Sequence, residues 1–284
     1  MPEDVPRHIL CPVDLSERSA PALHYAAALS RCADARITAL YAESFAPPPY
    51  FTESQVEALA AQIRDSAAAA EKTLAQFVAQ VLGSGAPKVE TKIANALPAD
   101  AILRTAQETG ADLIAMGTHG RSGFNRWMMG SVAERVLRES RIPVLTARHA
   151  ADAGSPRAIR RILCPVNDSD VARRSLQLAA KLAGCLGAAL TVLHVQEQDA
   201  RGHIADLCQW VREQAPPQCE KMELSRQGEA AQEIIRVAAE TGCDLLVMGA
   251  RHRLFHDTTV LGTTTIRTVR HAPCAVLTVV EWPE

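Results

Sequence analysis

Asp112-Leu-Ile-Ala-Met-Gly-Thr-His-Gly-Arg-Ser-Gly-Phe-Asn-Arg-Trp-Met-Met-Gly-Ser-Val132 is the segment that says most about the fold. It begins with an apolar run typical of a strand buried on both faces. Glycines follow at positions 117, 120, 123 and 130, and Ser131 opens a helical pattern. Glycine lets the backbone approach an anion closely, and the first turn of a helix presents unpaired amides. The segment therefore predicts a phosphate-binding loop, although it matches neither a Walker A loop nor Gly-x-Gly-x-x-Gly.

Strand-like and helix-like segments alternate through the first half of the chain. This alternation predicts a parallel sheet with helices on both faces, and ligands bind outside the carboxyl ends of the strands in such sheets. The predicted strands are His8–Val13, Arg36–Ala42, Lys88–Ile93, Asp112–Met116 and Pro143–Thr146. The predicted helices are Ser19–Arg31, Thr52–Leu82, Pro98–Thr109 and Ser131–Ser140.

The sequence also repeats itself. Ile9–Asp14 recurs as Ile162–Asn167 at an offset of 153 residues, whereas Val144–Thr146 recurs as Val276–Thr278 at an offset of 132. The second copy therefore lacks about 21 residues in its middle, and each copy is long enough to be a whole domain. We predict a first domain over residues 1–149, a small, polar linker over 150–158 and a second domain over 159–284.

The glycine spacing of the first copy resembles the Gly-x2-Gly-x9-Gly-Ser/Thr pattern of ATP-binding members of the universal stress protein family. The resemblance covers nearly the whole chain, twice, and implies α/β architecture: two Rossmann-like (adenine nucleotide alpha hydrolase-like) domains, each with a five-stranded parallel sheet. By this resemblance, a set of residues in the first copy would bind ATP, with Mg²⁺ accompanying its phosphates. These residues are Pro12, Val13, Asp14, Ala42, Met116, Gly117, Gly120, Gly130, Ser131 and Val132. Asp14 could instead cap the helix that follows it.

The second copy departs from this pattern. Asn167 replaces the aspartate, and His252 stands where the middle glycine is expected, in a predicted loop. We therefore expect weak or no ATP binding there, and the alternative of another anion, bound by Arg251, His252, Arg253 and His256, stays open. His252 and His256 have the i, i+4 spacing of helical metal ligands, but without a third ligand we predict no metal site.

Composition and charge narrow the possible partners and the possible location of the protein. The formal net charge is −2, with no basic stripe, so we expect no nucleic-acid partner. The acidic, proline-containing N-terminus does not resemble a signal peptide, and no apolar run is long enough to span a membrane, so we expect a cytoplasmic protein with no membrane partner. The eight cysteines, Cys32 and Cys185 among them, are interpreted as small buried apolar residues.

The expected function is ATP-dependent sensing or signalling in stress tolerance, without catalytic residues. Two alternatives stay open: a slow Mg²⁺-dependent ATPase or other hydrolase, and a module that binds a lipid or another hydrophobic ligand. Family members commonly dimerise through their last strands, so Val144–Ala147 and Val276–Val280 could pair within one chain as a pseudo-dimer. We further expect this pseudo-dimer to form a homodimer.

Overall fold

A computed structural model describes residues 5–43, 53–118, 129–148, 158–197, 204, 206–214, 219–255 and 258–281, with only the backbone over 53–67, 252–255 and 258–260. The elements of the first copy are β1 (His8–Pro12), α1 (Ala20–Ser30), β2 (Arg36–Ala42), α2 (Glu53–Leu82), β3 (Val89–Ala94), α3 (Pro98–Thr109), β4 (Leu113–Gly117), α4 (Ser131–Glu139) and β5 (Val144–Ala147). Those of the second are β6 (Arg161–Val166), α5 (Asp170–Leu186), β7 (Ala189–Gln196), α6 (Leu207–Gln214), β8 (Lys221–Gln227), α7 (Ala230–Thr241), β9 (Leu245–Phe255), β10 (Thr258–Leu261), α8 (Thr263–His271) and β11 (Ala275–Glu281). Of the proposed linker, only Ala158 is among the described residues.

The strands follow the order β3-β2-β1-β4-β5-β11-β9-β6-β7-β8 in one sheet. Within each half the strands of this path are parallel and have the order of a Rossmann-like half, which confirms the predicted fold class. In the first half the winding reverses between β1 and β4, and in the second it reverses between β6 and β9. At these two positions the strand ends leave a crevice that a ligand can enter.

The two halves are joined at the centre of the sheet, where β5 pairs antiparallel with β11. Equivalent threonines strengthen this joint from both sides. The buried Thr146 hydroxyl donates to the Val276 carbonyl at 3.2 Å, and the buried Thr278 hydroxyl donates to the Val144 carbonyl at 3.0 Å. The last strands therefore pair within one chain, as the pseudo-dimer prediction required.

Two hydrophobic layers, one on each face of the sheet, run without interruption through both halves. One layer packs α1, α2, α5 and α6 against the sheet, with Leu23 and Leu176 among its fully buried side chains. The other packs α3, α4, α7 and α8, with Val136 and Val237 fully buried. None of the helices within the described ranges is both long and apolar enough to cross a bilayer.

The interpretation of all eight cysteines as buried apolar residues is wrong for Cys208, which is exposed, for Cys219, which is half-buried, and for one bonded pair. Cys32, at the end of α1, forms a disulfide with Cys185, in the last turn of α5. The two residues are equivalent positions of the repeat, and the symmetric arrangement of the halves brings equivalent helix ends together. Cys11 and Cys164 are buried as expected, and burial raises the pKa of both thiols.

The predicted loop of the second copy is a hairpin. β9 continues to Phe255, and β10 pairs back on it with Leu261 opposite His252. The loop prediction was wrong because it was based on the glycine spacing alone. It gave no weight to Thr258–Val260, whose β-branched residues favour strand pairing. His256 lies outside the described residues.

Gly249, in β9, lets α5 lie close to the sheet. A Cβ atom added there would lie 2.9 Å from Val171 Cγ1 and 3.3 Å from the backbone carbonyl carbon of Val171. At Gly262, by contrast, an added Cβ would meet nothing nearer than 3.8 Å. The two glycines therefore provide a matched pair, one in contact with a helix and one in open space.

Replacing Gly249 with alanine should lower the free energy of unfolding by about 1–3 kcal/mol, because Val171 and its helix must move to relieve the overlap. Gly262→Ala should cost less than about 1 kcal/mol, the usual difference at a helix N-cap. Urea denaturation of both variants measures the difference. Equal loss at the two positions would contradict close packing at Gly249.

Thr278→Val should lower the free energy of unfolding by about 1 kcal/mol, because it removes one buried hydrogen bond at the joint while conserving shape. The equivalent change, Thr146→Val, should cost a similar amount. Thermal or urea unfolding checks both values. Two variants as stable as the unmodified chain would argue against a tightly packed joint.

Candidate functional site

A cleft of about 500 Å³ opens at the carboxyl ends of β1 and β4, where the winding of the first half reverses. This volume lies within the range of roughly 300–1,000 Å³ that is typical of small-molecule sites. Apolar side chains and backbone form most of its walls, with a few polar groups at the rim. The lining residues are Pro12, Val13, Asp14, Ser19, Leu40, Tyr41, Ala42, Glu43, Pro98, Ile102, Met116, Gly117, Thr118, Gly130, Ser131, Val132 and Ala133.

Asp14 lies in a tight turn at the end of β1. Its Oδ1 accepts hydrogen bonds from the Ser16 amide at 3.1 Å and the Ser16 hydroxyl at 2.7 Å. Leu15 has φ of 62°, a left-handed conformation that a leucine seldom adopts and that is often found at functional sites. The N-cap of α1 is Ser19, so Asp14 does not cap this helix, and Asp14 is one of the residues that line the cleft.

The N-terminus of α4 forms one wall of the cleft and is fixed to the sheet. The Gly130 amide donates to the Thr118 carbonyl at 2.8 Å, and the Thr118 amide donates to the Ala147 carbonyl at 3.0 Å. Gly130 is the N-cap, and a glycine has no side chain with which to cap the helix. The amides of the first turn have no partner inside an α-helix, so here they place a partial positive charge beside the cleft.

Nine of the ten residues predicted to contact ligand line this one cleft: Pro12, Val13, Asp14, Ala42, Met116, Gly117, Gly130, Ser131 and Val132. The tenth, Gly120, lies outside the described residues, as do His119 and residues 121–128. The structure adds lining residues that the motif analysis missed, among them Ser19, Tyr41, Thr118 and Pro98. Thr118 lies two residues after the predicted strand Asp112–Met116, so the rule that ligands bind at strand ends could have found it, whereas Pro98 opens a predicted helix.

The second copy has a smaller cleft, of about 290 Å³, at the equivalent place between β6 and β9. His194, which occupies the position of Tyr41, is buried in its wall. Its Nε2 accepts a hydrogen bond from the Ile204 amide at 3.2 Å, and its Nδ1 lies within hydrogen-bond distance of the Val166 carbonyl oxygen, at 3.1 Å. Both ring nitrogens are thus bound to the backbone, and neither faces a ligand.

Charged groups around the second cleft are also engaged. Arg251 pairs with Glu281 at 3.0 Å, and Glu197 Oε1 accepts from the Ala230 amide at the start of α7 at 2.8 Å. The hydroxyl of Ser169 donates to Asn167 Oδ1 at 2.6 Å. Arg251 is thereby compensated by a carboxylate, which weakens its attraction for an anion. Across the described ranges, no three His, Cys, Asp or Glu side chains are grouped as a metal site requires.

Comparisons with known proteins agree with the duplicated fold. A universal stress protein of Methanocaldococcus jannaschii is 29% identical over 147 residues, which are 51% of this chain and 84% of that protein. The crystal structure of a universal stress protein from Archaeoglobus fulgidus matches with a TM-score of 0.71 at 22% identity, covering 96% of this chain and 98% of that one. At this identity the likeness is one of fold.

Another universal stress protein, solved in complex with cAMP, is 20% identical and covers 52% of this chain and 100% of its own, with a TM-score of 0.38. That similarity is too weak to carry its ligand over. The model of the universal stress protein family matches residues 6–148 and, again, residues 158–280. These two matches span most of the sequence, and the chain therefore belongs to the universal stress protein family, as a tandem member with two copies of the family's domain.

Proposed function

We propose that the first copy binds ATP and that the chain acts as a nucleotide-responsive protein in stress tolerance or signalling. The observation that carries this proposal is the N-terminus of α4, which begins at a glycine N-cap, is held beside the end of β4 by the Gly130–Thr118 hydrogen bond, and lines the larger cleft. A helix N-terminus beside a glycine is a site that favours phosphate.

The donor set suits a polyphosphate. The backbone amides of Ser131, Val132 and Ala133 belong to the first turn of α4, and the exposed Ser131 hydroxyl can donate to a further phosphate oxygen. Gly130 adds no side chain at the point where the chain enters the helix. We propose that Gly117 and Gly120 leave similar room along the phosphate path.

The rest of the cleft suits an adenine ring and a ribose. Val13, Leu40 and Met116 offer apolar surface to a flat ring, and the Asp14 carboxylate can accept hydrogen bonds from ribose hydroxyls. Binding of the adenine ring needs no charged side chain. Burial of the ring supplies contact area, and recognition of the ribose hydroxyls fixes the orientation. We propose this orientation, with the ribose at Asp14 and the phosphates at α4.

Magnesium would enter with the nucleotide rather than bind on its own. Mg²⁺ retains several waters and is usually held by phosphates and one or two carboxylates. Asp14 and Glu43 are the two carboxyl residues among the described residues that line the cleft, and we propose that Asp14 contacts the ribose rather than the ion. The ion would screen the phosphate charge and leave the amides of α4 to orient the chain of phosphates.

The second copy supports the first without binding ATP, in this proposal. Its cleft has about 290 Å³ against about 500 Å³, it carries Asn167 in place of Asp14, and a hairpin replaces the loop predicted from the glycine spacing. A ligand of triphosphate size therefore has less room and fewer matched groups. The two smaller proposals, a homodimer of the whole chain and a cytoplasmic location, follow from family resemblance and sequence composition.

The alternatives lead to different observations. A slow ATPase would release phosphate from ATP in a Mg²⁺-dependent way, although the described residues of the first cleft include no cysteine or histidine that could act as a nucleophile or base. A module for hydrophobic ligands would purify with lipid and leave the mouth of α4 without nucleotide. Phosphate-release assays and mass spectrometry of extracted lipids separate these outcomes from binding alone.

Gly130→Val should weaken ATP binding by about 100-fold or more, since a branched side chain at the helix mouth would occupy phosphate volume; this corresponds to about 2.7 kcal/mol. The fold should remain intact, because Gly130 has φ of −63° and ψ of 145°, which valine adopts easily. Calorimetric titration with Mg²⁺-ATP measures the affinity, and circular dichroism verifies the fold.

Gly262→Val is the matched control, because Gly262 is the N-cap of α8 with nearly the same backbone angles, φ of −56° and ψ of 141°. This variant should bind ATP like the unmodified chain. If both variants bind ATP normally, or if only Gly262→Val loses binding, the assignment to the first cleft is wrong.

A further inference from the structure

The disulfide between Cys32 and Cys185 joins the two halves at a point of internal symmetry. The residues are 153 positions apart, which is also the offset between the N-terminal parts of the two copies. Their Cα atoms lie 5.6 Å apart, within the normal range for a disulfide. Equivalent residues meet only near the axis that relates two copies, so the bridge marks where α1 and α5 approach each other.

Solvent can reach this bridge. Cys185 is exposed and Cys32 is half-buried, whereas Cys11, Cys164, Cys243 and Cys274 are buried. Thiol–disulfide exchange requires that an attacking thiolate approach one sulfur along the bond. Cys185 is the more exposed of the two residues, so we infer that an external thiol attacks its sulfur.

The two halves do not depend on the bridge to stay assembled. The pairing of β5 with β11 joins them at the sheet, and the Tyr25 hydroxyl of α1 donates to the Asp244 carbonyl at 2.7 Å. Arg270 of α8 also pairs with Glu134 of α4 at 3.1 Å. Opening the disulfide would therefore release the ends of α1 and α5 from each other and leave the joint in place.

We propose that the Cys32–Cys185 disulfide is a reversible thiol-exchange site that responds to low-molecular-weight thiols of the glutathione class. The thiolate attacks the Cys185 sulfur, the bond between the two protein sulfurs breaks, and Cys32 leaves as a thiolate that takes a proton from water. A second small thiolate then attacks the small-molecule sulfur of the mixed disulfide, and Cys185 leaves as a thiolate that takes a proton from water, which yields two protein thiols and one oxidised small-molecule disulfide. The reverse reaction, with that disulfide as the two-electron oxidant, restores the bridge.

Exposure and location support a regulatory rather than a purely structural bridge. Accessible disulfides exchange more readily than buried ones, and a bridge in a reducing compartment is transient or redox-sensing. The end of α1 that faces away from the bridge carries Ser19, which lines the larger cleft. A change in the constraint on α1 thus acts on a helix that reaches the cleft.

The test equilibrates the full-length chain in buffers of graded reduced-to-oxidised glutathione ratio, blocks thiols by alkylation, and measures intact mass and melting temperature. We expect one transition that gains two alkylated cysteines, with the Cys32–Cys185 cross-linked peptide present only on the oxidised side. The melting temperature should fall by about 5–10 °C on reduction, because the bridge closes a long loop of the unfolded chain.

Cys32→Ser and Cys185→Ser should each abolish the two-cysteine transition and the shift in melting temperature. Cys208→Ser, which removes an exposed thiol outside the bridge, should retain both and is the matched control. Cys243→Ser should also retain both, although Cys243 and Cys274 sulfurs lie 3.1 Å apart. The proposal is overturned if the bridge stays oxidised in a large excess of reduced glutathione, if the cross-linked peptide never forms, or if only Cys243→Ser removes the transition.

Discussion

The structure depends on the antiparallel pairing of β5 with β11, which joins two parallel half-sheets into one. This joint is only a few residues long, but Thr146 and Thr278 add hydrogen bonds to it from both sides, and two hydrophobic layers run across it. Because the halves are related symmetrically about the joint, equivalent helices meet across it. The contact between α1 and α5, and with it the disulfide between equivalent cysteines, follows from this one arrangement.

The same fold leaves two crevices with different chemistry. In the first, Gly130 is hydrogen-bonded to Thr118, and the N-terminus of α4 lines a largely apolar cleft together with Asp14. In the second, the chain between Gly249 and Gly262 is used for strand pairing, and Arg251 and Glu197 are already engaged by other groups. Retaining both copies is still physically reasonable, because the second completes the sheet and both hydrophobic layers of the first.

Local signals made much of this predictable from sequence. α3 begins at Pro98 and ends at Gly110, as predicted, because proline suits the first turn and Gly110 takes the left-handed conformation that ends the helix. The strands of the first copy were predictable from their short apolar runs, to within one residue at each end. The cleft residues that directly follow β1 and β4 were predictable from those strand ends. The hairpin in the second copy was missed because Gly249 and Gly262 have the same spacing as Gly117 and Gly130 of the predicted loop in the first copy. The hairpin depends on pairing between two strands, which glycine spacing does not predict.

The disulfide was missed for a related reason. The spacing of Cys32 and Cys185 equals the repeat offset, but proximity follows only when the position of the symmetry axis is known. Likewise, Ser19 and Tyr41 reach the cleft through the packing of α1 and the register of β2, which no local motif encodes.

The most direct test of the nucleotide proposal is the identity and amount of nucleotide released when the purified chain is heat-denatured, measured by mass spectrometry and quantitative chromatography. A single competent helix mouth predicts an adenine nucleotide at about one molecule per chain after saturation with ATP. Recovery of about two per chain would contradict the difference between the clefts, and recovery of none would contradict ATP binding altogether.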